Sequence, residues 1–356
     1  MKKSILALGF LLCFSCTKKL DEEIRLPLKE SIGIDSKVGN MDIFEDICVI
    51  PLETTDESLL SDCQIVALCA DKIIVRDINT LYFFDIETGR FESKICRKGD
   101  GPEEYVSLSD VCVDCIDRSV YVLEGRGNIK TYDYDGSFLK AYANDSVVSI
   151  EMFKDTCFLA YQGMNGLRDI ALYSKDWNIV KKLWKENKKA VNDVDIVEVK
   201  DFQVFNGYPC FMDVDTLYQI NNAAVSPLFY IDKGELALPF EIFTDIKRKK
   251  ERSSYIWGDY GVLSGDYYFL RFYYDNKIYY DVWDVSSMKL IHRNIAHSPV
   301  DARGIPVFIG GKKINIWPSY VRGDMIYSIL QGEEVEKLDL PTDNDENPVI
   351  VGCRIR

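Results

Sequence analysis

Between Arg97 and Lys140 the chain carries a Gly99-Asp100-Gly101-Pro102-Glu103-Glu104-Tyr105 turn, then four short runs: Asp110 to Val113, Ser119 to Glu124, Ile129 to Asp133 and Phe138 to Tyr142. Runs of this length, rich in β-branched and aromatic residues and bounded by Asp, Asn and Gly, read as strands joined by hairpins. The preceding stretch has the same order, with Ile65 to Cys69, Lys72 to Asp77, Leu81 to Asp85 and Phe91 to Cys96. Each unit places a turn before its last run, Glu87-Thr88-Gly89 or Tyr134-Asp135-Gly136, where glycine tolerates a positive φ. The two glycines stand 47 residues apart, the size of a four-stranded repeat.

Ser174-Lys175-Asp176 and Asp284-Val285-Ser286-Ser287 correspond to the same turn in later units. Residues 44 to 356 give 313 positions, which six units of roughly 52 fill, whereas five or seven require roughly 63 or 45. The expectation is an all-β, six-bladed β-propeller with four-stranded blades. Cys48-Val49-Ile50-Pro51-Leu52 and Val349-Ile350-Val351-Gly352-Cys353 are β-rich ends, and ring closure requires them to lie in or beside one blade. One interruption is helical: Leu238 to Ile246 has apolar residues near helical spacing and runs into a Lys/Arg/Glu segment ending at Arg252. It is expected as a short insertion before blade five, with Lys247 to Lys250 as a solvated helix end.

Hydrophobic residues make up 47% of the chain and aromatic ones 12%, enough for a sizeable core and contrary to a disordered chain. The formal charge is −14; residues 1 to 15 hold two lysines and no acid, so their removal leaves 41 basic against 57 acidic groups, or −16. Such a surface repels phosphate backbones, so no nucleic-acid partner is expected. The eleven cysteines lack the close, regular spacing of a small disulfide framework. Most read as small apolar core residues in strands.

Lys2 and Lys3 form a positive n-region, Ser4 to Leu12 a short apolar h-region, and Ser15 a small residue before Cys16. This is a secretory signal too short to span a bilayer. The segment Leu12-Cys13-Phe14-Ser15-Cys16 resembles a bacterial lipoprotein signal, which implies that Cys16 becomes the first mature residue and carries acyl chains. The alternative is a plain cleaved signal and a soluble periplasmic product. Several acyl chains on one cysteine make a stable anchor, since each buried methylene contributes about 0.8 kcal/mol. Thr17 to about Ile43 is polar and charged without a sustained hydrophobic period, so it reads as a tether. Its Lys18-Lys19-Leu20-Asp21-Glu22-Glu23 run resembles the acidic patch that sorts some such lipoproteins to the outer face of the outer membrane; a solvated linker is the alternative.

The Gly99-x-Gly101-Pro102-x-Glu104-Tyr105 motif, with Val111-Cys112-Val113-Asp114, Val120-Tyr121-Val122 and Tyr132 to Leu139, resembles an NHL-type propeller repeat. With the signal and the Asn347-Pro348-Val349-Ile350 ending, the mature chain resembles the six-bladed β-propeller lipoproteins of Bacteroides-type bacteria. That resemblance implies residues 1–15 as signal peptide, 16–43 as tether and 44–356 as propeller. It implies a cell-envelope address, in the outer membrane with possible surface exposure, and no common ligand or reaction. Blades three to six lack the Gly-Pro-Glu motif, so binding positions of NHL proteins do not transfer to them.

Few constellations carry chemistry. Gly99, Gly101 and Pro102 precede a strand and no Lys-Ser/Thr helix start, so they read as a blade-to-blade crossover and not a phosphate loop. Cys112-x-x-Cys115 has no second pair and no nearby histidine, and no calcium loop is present, so neither metal nor cofactor is expected. With only His292 and His297, a Ser-His-Asp triad has almost no raw material. Carboxylate pairs stay open because acids are abundant.

In four-stranded blades, loops entering the innermost strand share a face with turns between the second and third strands. Arg97, Lys98 and Tyr105 of the first crossover, and Arg76, Arg126 and Arg271 near second-strand ends, are assigned to that face. Tyr255, Trp257 and Tyr260, ahead of blade five, and Trp317 and Arg322 of blade six join them. Arginine forks and aromatic faces suit sugars or peptide segments. The expected function is a membrane-anchored, non-catalytic binding module for an extracellular glycan or protein. The alternatives are a scaffold in an envelope complex and a hydrolase or lyase using acids on that face.

Overall fold

The computed structural model describes residues 24–34, 43–125, 127–143, 147–153, 157–164, 167–185, 202–205, 207–213, 215–297, 304–338, 340 and 347–356. They form six antiparallel four-stranded sheets arranged as the blades of a propeller. Blade one runs Cys63–Leu68, Lys72–Asp77, Thr80–Asp85 and Phe91–Ile95, and blade two Asp110–Asp114, Ser119–Leu123, Ile129–Asp133 and Phe138–Tyr142. Blade three comprises Val147–Phe153, Cys157–Met164, Leu167–Ser174 and Ile179–Lys185, and blade four Gln203–Phe205, Tyr208–Asp213, Thr216–Asn221 and Ala224–Ile231. Blade five is Trp257–Ser264, Tyr267–Tyr274, Lys277–Asp284 and Lys289–Ala296.

Blade six takes three strands from the end of the chain, Tyr320–Arg322, Met325–Leu330 and Val349–Ile355, and its outermost strand, Phe44–Pro51, from near the start. Val49 lies opposite Val351 and Ile50 opposite Ile350, so the two β-rich ends close the ring as expected. Asn347, just before the closing strand, is buried and ties down the chain leaving Phe44–Pro51. Its amide nitrogen donates to the carbonyls of Glu53 and Ser58 at 2.8 and 2.7 Å, and its Oδ1 accepts from Leu60 N at 2.8 Å.

The core is divided among the seams between blades. Phe83, Tyr105, Val120 and Tyr132 fill seam one/two, Tyr121, Phe158 and Trp177 seam two/three, and Leu159, Ile170 and Phe211 seam three/four. Phe229, Leu270 and Trp283 fill seam four/five, Phe269, Ile326 and Val351 seam five/six, and Ile50, Ile73, Phe84 and Ile350 seam six/one. Alternation along each strand puts side chains on both faces of a blade, so every blade feeds two seams. Each large apolar side chain buried this way contributes about 1.5–3 kcal/mol.

Three features depart from or add to the expected plan. Residues 24–34, within the stretch read as tether, pack on the propeller. Arg25–Leu26 pairs in parallel with the outermost strand of blade four, and Leu26 and Leu28 are fully buried at seam four/five. Their two leucines supply the apolar anchor that a polar, charged composition hid. A hairpin of Ile305–Ile309 and Lys312–Ile316 sits between blades five and six and adds Ile305, Val307, Ile314 and Ile316 to that seam. A disulfide joins Cys69 to Cys115, linking the turns after the first strands of blades one and two. The helical insertion is present as a short 3-10 turn (Gly234–Leu236), a helix (Phe240–Thr244) and a 3-10 stretch (Ile246–Ser254).

Candidate functional site

Entry into each innermost strand happens on one side of the ring, and there five of those strands, with Phe202 just ahead of the strand of blade four, line a cavity of about 670 Å³. Gln64 and Ile65 come from blade one, Asp110 and Val111 from blade two, Ser149 to Glu151 from blade three, Phe202 from ahead of blade four, Tyr260 from blade five and Tyr320 from blade six. All six blades therefore contribute to one mouth.

Of the residues assigned from sequence, Arg76, Tyr260, Arg271 and Trp317 line this cavity. Arg76 is braced by backbone carbonyls: Nε donates to Ile78 O at 3.2 Å, and its terminal nitrogens reach Ser109 O at 3.5 Å and Leu108 O. Arg271 lies opposite Tyr260 across the first two strands of blade five. Its Nε is buried without a hydrogen-bond partner among the described residues, as is Trp317 Nε1. The Trp317 ring is fixed edge-on to Tyr280, with centroids 5.0 Å apart. Buried donors left unpaired cost more than the hydrogen bonds they could form.

The others are placed elsewhere. Tyr105 is fully buried in seam one/two. Its hydroxyl donates to Asn79 O at 2.7 Å and accepts from Arg97 N at 3.2 Å, and burial pushes its pKa up to about 12. Arg97 Nε donates to Gly136 O at 2.8 Å, and Lys98 forms a backbone bridge with Tyr105. The first crossover is therefore a brace, further pinned where Gly101 N donates to Glu104 Oε2 at 3.0 Å and Tyr132 Oη to Glu103 O at 2.9 Å. Trp257 stacks on Tyr273 at 4.7 Å, and neither it nor Tyr255 lines the cavity. Arg322 ends the first strand of blade six and donates to Cys69 O at 2.9 Å, on the side of the ring away from the mouth. Arg126 and Cys16 lie outside the described residues.

Two carboxylates in the mouth were not singled out from sequence. The Asp110 carboxylate accepts from Val111 N and Ile150 N, each at 2.8 Å, stitching the innermost strand of blade two to that of blade three. Glu151 is pushed up to about 8, first by burial and then by the charge of Asp110. Tyr320, facing the same space, is pushed up to about 12 by burial and next by Glu151. An acid in a mostly apolar innermost strand, Val147–Phe153, was the available signal for Glu151. Among the described residues no group of three or more His, Cys, Asp or Glu side chains converges as a metal would need.

The fold and mouth define a six-bladed propeller with a polar axial cavity. The chain belongs to the DUF4934 family, a domain of unknown function, which matches it over residues 23–354. In structure it is similar to a protein of Bacteroides fragilis described as exported, at TM-score 0.67 and 14% identity, with 94% of this chain and 99% of that one covered. It is also similar to a DUF4221 family member of Bacteroides vulgatus, at TM-score 0.55 and 11% identity, covering 88% and 97% of the two chains. No curated protein matches the chain. No helix among the described residues is long and apolar enough to cross a membrane.

Proposed function

We propose that this protein is an exported, lipid-anchored binding module whose axial mouth captures an extracellular glycan or protein segment. Cys16 carries the anchor and the outer membrane is the address. The observation that carries the binding role is the pair of unpartnered buried donors, Arg271 Nε and Trp317 Nε1, in a cavity to which every blade contributes. A ligand acceptor reaching them after a small side-chain shift relieves their desolvation cost, while Tyr260 and Trp317 supply ring surface for a sugar or peptide. Export is supported by the Cys69–Cys115 disulfide, since such bonds persist in oxidising compartments, by the signal-like amino terminus, and by the likeness to a protein described as exported.

The test is glycan-array screening of the mature chain, calorimetry on any hit, and pull-down from envelope extracts. Trp317→Ala and Arg271→Ala are expected to weaken a hit at least tenfold. Absence of both glycan binding and a recovered partner overturns the reading, and mass spectrometry finding Cys16 unmodified overturns the anchor.

A second reading, a hydrolase or lyase, is favoured by one observation: two carboxyl groups, Glu151 and Asp110, meet in the mouth, and burial followed by the charge of Asp110 pushes Glu151 up to about 8, the direction that suits a general acid. If a bound glycan is cleaved by the wild type and not by Glu151→Gln, this reading replaces the first. If it is bound and recovered intact, the binding module stands.

A further inference from the structure

We propose that the insertion between blades four and five is a contact surface for an anionic lipid headgroup layer. The insertion is itself well folded: Ile242 is buried, Arg252 Nη2 donates to Phe243 O at 2.7 Å, and Asp245 Oδ1 accepts from Lys247 N at 2.8 Å. With Ile242 turned inward, Phe240 and Ile246 are nonetheless left 49% and 79% exposed. Directly after Ile246 come Lys247, Lys249 and Lys250, all exposed. Arg248 is held by Glu251 at 2.6 Å, whereas none of the three lysines has an acidic partner among the described residues. In a chain with 57 acids, three lysines within four residues, without acidic partners among the described residues and beside two exposed bulky apolar side chains, are a local reversal of the prevailing charge. Apolar groups that enter the headgroup boundary, flanked by lysines, are what an interfacial contact requires.

The path of the chain points to the same rim. Residues 24–34 join the insertion directly: Lys29 N donates to Asp232 O at 2.9 Å, and the Lys29 side chain pairs with Glu235. Ile24, the first described residue, is 57% exposed and accepts from Tyr230 N at 2.8 Å, two residues before Asp232. Cys16 lies eight residues before Ile24, a span of at most about 28 Å even when fully extended. A lipid on Cys16 therefore holds this rim close to the bilayer. The length argument rests on the anchor proposed above; the lysine and apolar surface does not. The negative remainder of the molecule is repelled by the same headgroups, so the contact also selects an orientation.

The test uses the unlipidated full chain, Cys16→Ser, in flotation with vesicles of phosphatidylcholine alone or containing 30% phosphatidylglycerol. The protein is expected to float with the anionic vesicles only and to be released by 0.5 M salt. Reversal of Lys247, Lys249 and Lys250 to Glu is expected to weaken partition by about a hundredfold or more, and Phe240→Ser with Ile246→Ser by about tenfold or more, with circular dichroism unchanged. Failure to float, equal partition into both vesicles, or unchanged partition of the reversed variant overturns the proposal. None of these outcomes depends on whether Cys16 is acylated in the cell, which its mass reports separately.

Discussion

Seams one/two and four/five join neighbouring blades by opposite means. At seam one/two the tie is covalent and peripheral: Cys69–Cys115 links two turns, and Arg118 bridges from one turn to Asp71 of the other at 2.9 Å while lying 4.7 Å over the Tyr134 ring. At seam four/five the tie is polar and internal. Arg293 is fully buried and grips Asp281 with two bonds of 2.7 and 2.6 Å, then reaches the carbonyl and hydroxyl of Ser31 at 2.6 and 2.7 Å. At the same seam Lys233 sits between Asp215 and Asp259 at 2.7 and 2.8 Å. The first device limits the unfolded chain; the second is worth having only while every partner is in place, because a buried charge stripped of its partner is costly.

Breaking the internal tie should cost the most. Arg293→Ala is expected to lower unfolding free energy by about 3–5 kcal/mol, read by urea denaturation, and to expose residues 24–34 to proteolysis. A loss under 1 kcal/mol would mean that seam four/five stands on its leucines alone. Cys69→Ser with Cys115→Ser is expected to cost about 3–4 kcal/mol, as suits a closed loop of some 46 residues. A reductant should have the same effect on the wild type and none on the double variant. Seam six/one offers a third, purely steric case. Gly89 has φ +70°, and an added Cβ would fall 1.9 Å from the Pro51 carbonyl oxygen, against the outermost strand of blade six. Gly89→Ala is expected to cost about 1–3 kcal/mol, and an unshifted melting curve would refute that close approach.

The smallest effect separates the seams from the axis. Glu151 is raised in the fold, so the native state holds a proton that the unfolded chain releases near pH 4.5. Its contribution is present below about pH 4.5 and is lost as pH rises towards about 8, so stability falls across that window. In Glu151→Gln the slope should flatten, with the effects of all three seam variants unchanged. A slope that survives the substitution would place the titration elsewhere.

The first two blades were legible because glycine marks their last turns: Gly89 and Gly136 have φ +70° and +81°. In later blades the same backbone is made by residues that carry no such mark. Trp177 holds φ +58° and Met288 φ +51°, and the two-residue turn of blade four uses Asn222 and Ala223 at +48° and +55°. Trp177 is kept there by packing, stacked on Phe158 at 4.7 Å with Tyr121, Tyr142 and Tyr173 around it. A strained turn sustained by tertiary contacts leaves little trace in local sequence.

The mouth was legible in position and only partly in membership. Counting strands placed Arg76 near the end of its second strand, whereas Arg271 lies in the middle of Tyr267–Tyr274; both line the cavity. Counting could not tell that the Tyr105 hydroxyl turns inward to Asn79, because a residue's direction at a crossover depends on the neighbouring blade. Glu151 was hidden among many acids, and its burial comes from the convergence of innermost strands that no single repeat reveals.

The closing strand Val349–Ile355 lies between Met325–Leu330 and Phe44–Pro51. The circle therefore cannot be locked until synthesis has passed this strand. Until then the early strand has no mate and shows an open edge of the kind that invites wrong pairings. A chain stopped after Leu330 would carry five complete blades and a sixth left unlatched.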